Sequence, residues 1–272
     1  MGVVKNLLRG FRGGPNFSET NNFNASFENI QFSVRLPYSN VNTKEPPRPI
    51  HFSFLKEDWF EENSKKINQN NYVHVDTQLW YYVPLVGLPN AELGVLSLTT
   101  QLRKVPHSSI SAFNLNELGK HIVTEYEEYH NAPINKDQED SFKGWNTRIR
   151  QEVIDYSNSR NEPWSQEQID RETQLRLTDI GYAPLSPHQI KTIKNRPWVF
   201  YIEQKAKARP TKDRVYCTPL SDKYYLCMSF GYRVDCSDKF HLWKDHAEAA
   251  EKRIMESVKL TFPNDERALP SS

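Results

Sequence analysis

Residues 224–232 read Tyr-Tyr-Leu-Cys-Met-Ser-Phe-Gly-Tyr, and this stretch is the strongest strand pattern in the chain. Large apolar side chains occupy every second position from Tyr224 to Tyr232, which is the two-residue period of a β-strand. The preceding Leu-Ser-Asp-Lys at 220–223 is a turn sequence, so we expect a hairpin to a strand around 215–217.

Similar strand patterns recur on both sides of a long polar middle region. The predicted strands cover residues 29–36, 50–54, 73–83, 93–99, 197–202 and 259–262. Short loops join most of them, which favours antiparallel pairing. We therefore predict an α+β domain in which segments 29–36, 73–83, 93–99, 197–202 and 224–232 share one antiparallel sheet, with the early strands forming a meander.

Two amphipathic segments predict helices packed on that sheet. Between residues 115 and 129, apolar side chains recur at spacings of three and four, and Asn114 or Asn116 can cap the N-terminus. Residues 242–257 repeat the same spacing with Trp243, Ala247 and Ile254.

The region between these two halves differs from the rest of the chain in composition. Residues 136–172 carry six basic and nine acidic side chains and few apolar ones. A helix is predicted around 147–155, and Ser165 stands three residues before Gln168, the spacing of a capping box that starts a second helix. We interpret residues 131–192 as a polar helical insertion in a single domain.

The two ends of the chain are predicted to lie outside the domain. Residues 1–25 combine basic and glycine-rich sequence, which predicts a flexible basic N-terminal segment. The domain then covers residues 26–262, and residues 263–272 form a polar tail.

The composition of the chain limits which classes of function are plausible. The 35 basic and 34 acidic residues leave a net charge of +1, which gives no overall attraction to nucleic acid or anionic membranes. No apolar run reaches the roughly 20 residues of a membrane span, and no secretory signal is evident. The three cysteines, an odd number, favour a reducing compartment over a disulfide framework. We expect a cytoplasmic protein.

Motifs for catalysis or cofactor binding are missing from the sequence. His241 and His246 are five residues apart and do not share a helix face, and Cys217 and Cys227 read as buried thiols rather than metal ligands. No phosphate-binding loop follows a strand. We predict no metal, no cofactor and no enzymatic activity, although an enzyme with a dispersed site stays open.

A second open alternative is nucleic-acid binding through a basic stretch at residues 191–214. Lysine and arginine crowd this stretch between Tyr201 and Tyr216, and aromatic flanks beside a basic loop suit single-stranded nucleic acid. A solubilising hairpin loop explains the same pattern, so nucleic acid is not the favoured partner.

Four segments of the chain combine into a pattern found in a known family: Phe-Ser-Val-Arg-Leu-Pro at 32–37, Arg-Pro-Trp-Val-Phe-Tyr at 196–201, the aromatic hairpin 216–225 with Tyr232, and the helix-to-strand end 253–260. Together these segments resemble PsbP/Mog-like domains. The resemblance covers about a third of the chain and implies a non-enzymatic binding or assembly module. It also suggests stand-alone bacterial immunity proteins that neutralise a secreted toxin.

We therefore predict a protein-binding module, with a toxin domain as the most concrete partner. Aromatic residues in or beside polar segments, the types that dominate binding hot spots, motivate this prediction: Trp59, Tyr129, Trp145, Trp164 and Trp243. The expected contact residues all lie in the insertion: Asp137, Glu139, Asp140, Trp145, Tyr156 and Trp164.

Overall fold

The computed structural model describes residues 10–41, 49–54, 58–66, 72–86, 92–105, 110–134, 143–204, 211–234 and 242–263. These residues form an α+β fold, as predicted. The strands are β1 (Phe11–Gly13), β2 (Thr20–Phe27), β3 (Ile30–Pro37), β4 (Ile50–Phe52), β5 (Tyr72–Pro84), β6 (Gly94–Lys104), β7 (Gln189–Ile193), β8 (Arg196–Gln204), β9 (Thr211–Pro219), β10 (Tyr224–Val234) and β11 (Lys259–Thr261). The helices are α1 (Trp59–Lys66), α2 (Leu115–His130), α3 (Trp145–Asn158), α4 (Gln166–Ile180) and α5 (Leu242–Ser257).

Seven strands form a large antiparallel sheet in the order β1-β5-β6-β10-β9-β8-β7. Strand β10, which contains the 224–232 stretch, lies at its centre and pairs with β6 from Tyr224↔Lys104 to Val234↔Gly94. The predicted hairpin between β9 and β10 is present, with Cys217 directly opposite Cys227. The strongest strand pattern in the sequence therefore belongs to a strand that is covered on both faces, with Met228 in the core on one side and Cys227 in the core on the other.

The prediction of a single sheet for all the early strands is wrong. Strand β3 belongs to a second sheet of four strands, in the order β11-β3-β2-β4, and β2 pairs with β4 in parallel. Period-2 alternation shows that a strand is half-buried, but it carries no information on which sheet receives the strand. The meander is reduced to the β5–β6 hairpin.

The predicted flexible segment 1–25 also needs correction over residues 10–25. Strand β1 pairs with the edge strand β5, and β2 is a full member of the second sheet. Phe23, Ala25 and Phe27 are buried at alternate positions of β2. This apolar alternation is short, and the neighbouring asparagines make it hard to recognise as a strand in the sequence. Gly13 is the last residue of β1 and has a φ of +82°, a conformation that glycine adopts without strain.

The core has one part on each face of the large sheet. Helix α2 covers one face, where Leu118 and Ile122 pack with Cys217 and Cys227. Helix α5 and the second sheet cover the other face, where Trp243 lies against Tyr82 with ring centroids 5.0 Å apart. Both predicted helices thus contact the large sheet, from opposite sides.

The insertion contains two helices, as predicted, but it ends earlier than residue 192. Helix α3 extends the expected 147–155 helix in both directions, and α4 begins at the Ser165 capping box. Residues 189–193 are not helical, because they form β7, the edge strand paired with β8. An edge strand with mostly exposed side chains lacks the apolar alternation by which strands are recognised.

Candidate functional site

The predicted contact residues fall into two groups in the structure. Asp137, Glu139 and Asp140 lie outside the described residues. The three predicted aromatic contacts belong to the helical hairpin made of α3, its connecting loop and α4, which we call the insertion hairpin (residues 143–180). Trp59 and Trp243, two of the aromatic residues that motivated the binding prediction, are core residues that are 4% and 1% exposed.

Trp145 holds the base of the insertion hairpin together. Its indole Nε1–H donates a hydrogen bond of 2.8 Å to the backbone carbonyl of Ile180, the last residue of α4. The guanidinium of Arg148 lies 5.6 Å from the centroid of the Trp145 ring. These contacts tie the first turn of α3 to the end of α4, so the role of Trp145 in this fold is structural.

The other two aromatic residues meet at the opposite end of the insertion hairpin. The rings of Tyr156 and Trp164 contact edge to face, with centroids 5.3 Å apart. The guanidinium of Arg160 lies 5.8 Å from the Tyr156 ring and 5.5 Å from the Trp164 ring, and its NH1 donates a hydrogen bond to the Tyr156 hydroxyl. We name Tyr156, Arg160 and Trp164 the tip cluster.

Backbone hydrogen bonds fix the loop that presents the tip cluster. The Ser157 hydroxyl, which is 1% exposed, accepts a hydrogen bond of 2.8 Å from the backbone N–H of Trp164. One residue later, Ser165 and Gln168 form a reciprocal capping box. The cluster is therefore held by the fold on both sides of the loop, and binding through it orders few additional groups.

The surface around the tip cluster is apolar in places and acidic overall. Tyr156 is 47% exposed, and the aliphatic side chain of Ile154, two residues earlier on α3, is 37% exposed. Residues 151–170 contain five acidic side chains and one basic one, Arg160. Helix α4 buries none of its residues, so its outer face is available to a partner.

A second polar site, which the sequence analysis did not identify, lies between α5 and the large sheet. The buried carboxylate of Glu251, 2% exposed, accepts a hydrogen bond of 2.5 Å from Tyr216 and another from Tyr232. The Nε of Arg214 lies 3.1 Å from Glu251 Oε1, an ion pair without hydrogen-bond alignment. Burial raises the pKa of Glu251 above its ordinary value, despite the two phenols and the nearby guanidinium.

A signal for Glu251 was present in the sequence. The apolar face of α5 runs through Trp243, Ala247, Ala250 and Ile254, and residue 251 falls four residues after Ala247 on that face. A charged side chain on a buried helix face is retained when partners satisfy it. Here the partners come from β9 and β10, which sequence spacing does not connect to α5.

The described part of the basic stretch 191–214 does not form a uniform cationic surface. Arg214 is neutralised by Glu251 and by Glu248, whose carboxylate lies 3.2 Å from NH1. The ammonium of Lys191 lies 3.2 Å from the centroid of the Phe200 ring. Lys205, Lys207 and Arg209 lie outside the described residues.

The cysteines and histidines considered as metal or catalytic sites make ordinary packing contacts where the structure describes them. Cys217 and Cys227 are buried free thiols, as expected. His246 accepts or donates a hydrogen bond of 3.2 Å with the Tyr82 hydroxyl, whereas His241 and Cys236 lie outside the described residues. Across the described ranges, no three His, Cys, Asp or Glu side chains gather as metal ligands. Over the same ranges, no helix has the length and apolar character that crossing a bilayer requires.

Comparisons with known proteins identify no family for this chain. No family model matches it, and no curated protein matches it. Among solved structures, it is similar to a protein of Bacteroides thetaiotaomicron VPI-5482 at 4% identity and a TM-score of 0.23. The match covers 72% of this chain and 44% of that protein, so the chain spans less than half of its length. A similarity at this level carries no argument about function, and the resemblance to PsbP/Mog-like domains stays a prediction.

Proposed function

We propose that this chain is a non-catalytic protein-binding module that docks its partner on the tip cluster of the insertion hairpin. The observation that carries the proposal is the preformed contact of Tyr156, Arg160 and Trp164 at a helix–helix corner. Trp, Tyr and Arg are the residue types most enriched in binding hot spots. Their mutual contacts reduce the side-chain freedom that binding would otherwise remove.

The charge around the tip cluster favours a partner with a basic surface. Five acidic side chains against one basic side chain between residues 151 and 170 give this end of the hairpin a negative field. Such a field raises the association rate with a cationic partner and discriminates against anionic ones. Nucleic acid is disfavoured at this surface for the same reason.

The most concrete partner is a secreted bacterial toxin domain, which the module would neutralise by covering its active surface. This part of the proposal rests on the resemblance to immunity proteins together with the acidic tip. An immunity role places the protein in the cytoplasm of the producing cell, which agrees with the free thiols of Cys217 and Cys227.

Affinity capture from the native host, with quantitative identification of retained proteins, tests the proposal. The baits are the unchanged chain, a Trp164→Ala variant and a Phe113→Ala variant. Phe113 is a suitable control because its side chain is 53% exposed and lies outside the insertion hairpin. We expect a basic protein that is retained by the unchanged chain and by Phe113→Ala, and that is lost from Trp164→Ala.

The captured protein then identifies the activity. Purified partner should be inhibited by the unchanged chain at a one-to-one ratio and not by Trp164→Ala. A set of captured proteins that does not differ between the Trp164→Ala and Phe113→Ala baits would rule out the tip cluster as the docking surface.

A further inference from the structure

An open cleft lies between the edge strand β7 and helix α5. Its volume is about 770 Å³, within the range of small-molecule sites. Strand β7 and its turn contribute Lys191, Ile193 and Lys194, and α5 contributes Met255 beside charged residues. The floor of the cleft includes Tyr216 and Glu251, so the buried polar network described above supports it.

The charges that line this cleft do not cancel completely. Arg214 is paired with both Glu248 and Glu251, and Lys252 lies 3.9 Å from Glu256. Among the described residues that line the cleft, Lys191 and Lys194 are the cations with no carboxylate within ion-pair distance. The acids of α5 are thus already matched by bases, and the β7 side of the cleft keeps an excess of positive charge.

Lys191 is held in a defined position inside the cleft. Its side chain is half-buried, and its ammonium lies 3.2 Å from the centroid of the Phe200 ring and 5.9 Å from that of Tyr216. Arg214 approaches the same Phe200 ring at 5.8 Å, so two cations share one aromatic surface. Partial burial, and then the charge of Arg214, lower the pKa of Lys191. Glu251 opposes these two effects, and an incoming anion would add to the charge interactions that favour the ammonium form.

We infer that this cleft binds a small organic anion, with its phosphate or carboxylate group held by Lys191 and Lys194 and its apolar part against Ile193 and Met255. Lysine binds phosphate as a point charge, and the preformed position on the Phe200 ring reduces the entropy lost on binding. The Arg214–Glu251 pair has a positioning role here, because it fixes β9 against α5 and so sets the width of the cleft.

Three probes separate the contribution of the anionic group from that of the apolar part: inorganic phosphate, phenyl phosphate and benzoate. Each is added at constant ionic strength. Amide NMR spectra of the full chain report where each probe binds. We expect saturable shifts at residues 189–194 and 248–256, with phenyl phosphate binding more tightly than inorganic phosphate because its ring contacts the apolar wall. Benzoate decides whether a carboxylate is accepted in place of phosphate.

Charge variants then test the role of Lys191. Lys191→Gln should weaken phenyl phosphate binding about tenfold, the effect of losing one hydrogen bond to a charged group. Lys120→Gln is the matched control, because Lys120 is an exposed lysine of α2, on the opposite face of the large sheet. In the unchanged chain, phenyl phosphate should also protect Lys191 from acetylation by acetic anhydride, a readout that needs no substitution.

Two results would overturn the inference. One is the absence of saturable shifts on β7 and α5 for all three probes at millimolar concentration. The other is equal weakening by Lys191→Gln and Lys120→Gln, which would mean that overall charge, and not this cleft, attracts the anion.

Discussion

The phenol of Tyr216 donates a hydrogen bond of 2.5 Å to the carboxylate of Glu251, and this contact fastens α5 to β9 of the large sheet. Tyr232 of the neighbouring strand donates to the second oxygen of the same carboxylate. Arg214 balances the charge from one side. A single buried acid thus joins one helix to two strands in the interior of the protein.

Loss of this carboxylate should be strongly destabilising. Glu251→Ala leaves two buried phenols without an acceptor and Arg214 without its inner partner, and we expect a loss of about 3–5 kcal/mol in the free energy of unfolding. Glu248→Ala is the matched control, since Glu248 pairs with the same arginine but its side chain is 55% exposed, and its loss should stay within about 1 kcal/mol. Urea denaturation of both variants measures the difference, and equal midpoints would contradict the prediction.

The same residue predicts a pH dependence of stability. Burial raises the pKa of Glu251 above the ordinary value of 4.5, so the folded state favours the protonated carboxyl. This stabilisation is fully present below the unfolded-state pKa and is lost as pH rises through the folded-state pKa. The free energy of unfolding of the unchanged chain, minus that of Glu251→Gln, should therefore fall as pH rises above 4.5. A difference that rises with pH would show that the phenols and Arg214 outweigh burial.

Two buried aromatic residues of the large sheet test where the core lies. Trp198 and Phe230 are 1% and 0% exposed, so replacing either with alanine should cost about 3–5 kcal/mol through lost burial and a residual cavity. Glu139→Ala and Asp140→Ala, in the polar insertion, should change the free energy of unfolding by less than about 0.5 kcal/mol. Chemical denaturation that gives one midpoint for all four variants would mean that the core is misplaced.

The sequence predicted the elements of this fold better than their arrangement. The central strand β10, the helices α2 and α5 and the Ser165 capping box all have strong local signals, because apolar periodicity and capping act within a few residues. The separation into two sheets has no such signal. Strand β3 shows the same alternation as the strands of the large sheet, and its true partners β2 and β11 lie on either side of it in the chain, with β11 more than two hundred residues away.

The contacts of the candidate-site residues could not be predicted from the sequence, because they too depend on how distant segments are arranged. The sequence indicated aromatic residues in a polar insertion, but it could not separate Trp145, which donates to the Ile180 carbonyl, from Trp164, which lies in an exposed cluster. The two tryptophans differ because the Trp145 indole contacts the end of α4 at the base of the hairpin, whereas Trp164 contacts Tyr156 at the tip. The Glu251 network was missed because its donors come from strands that are distant from α5 in the sequence.

The two tryptophans of the insertion hairpin should therefore respond differently to one conservative change. Trp145→Phe removes the indole donor to the Ile180 carbonyl, and we expect a local loss of about 1 kcal/mol, seen as faster hydrogen exchange of amides in α3 and α4. Trp164→Phe is the control, because the hydrogen bond to Ser157 comes from the backbone N–H of Trp164 and survives the substitution. Equal exchange rates in the two variants would mean that the Trp145 indole does not hold the base of the hairpin.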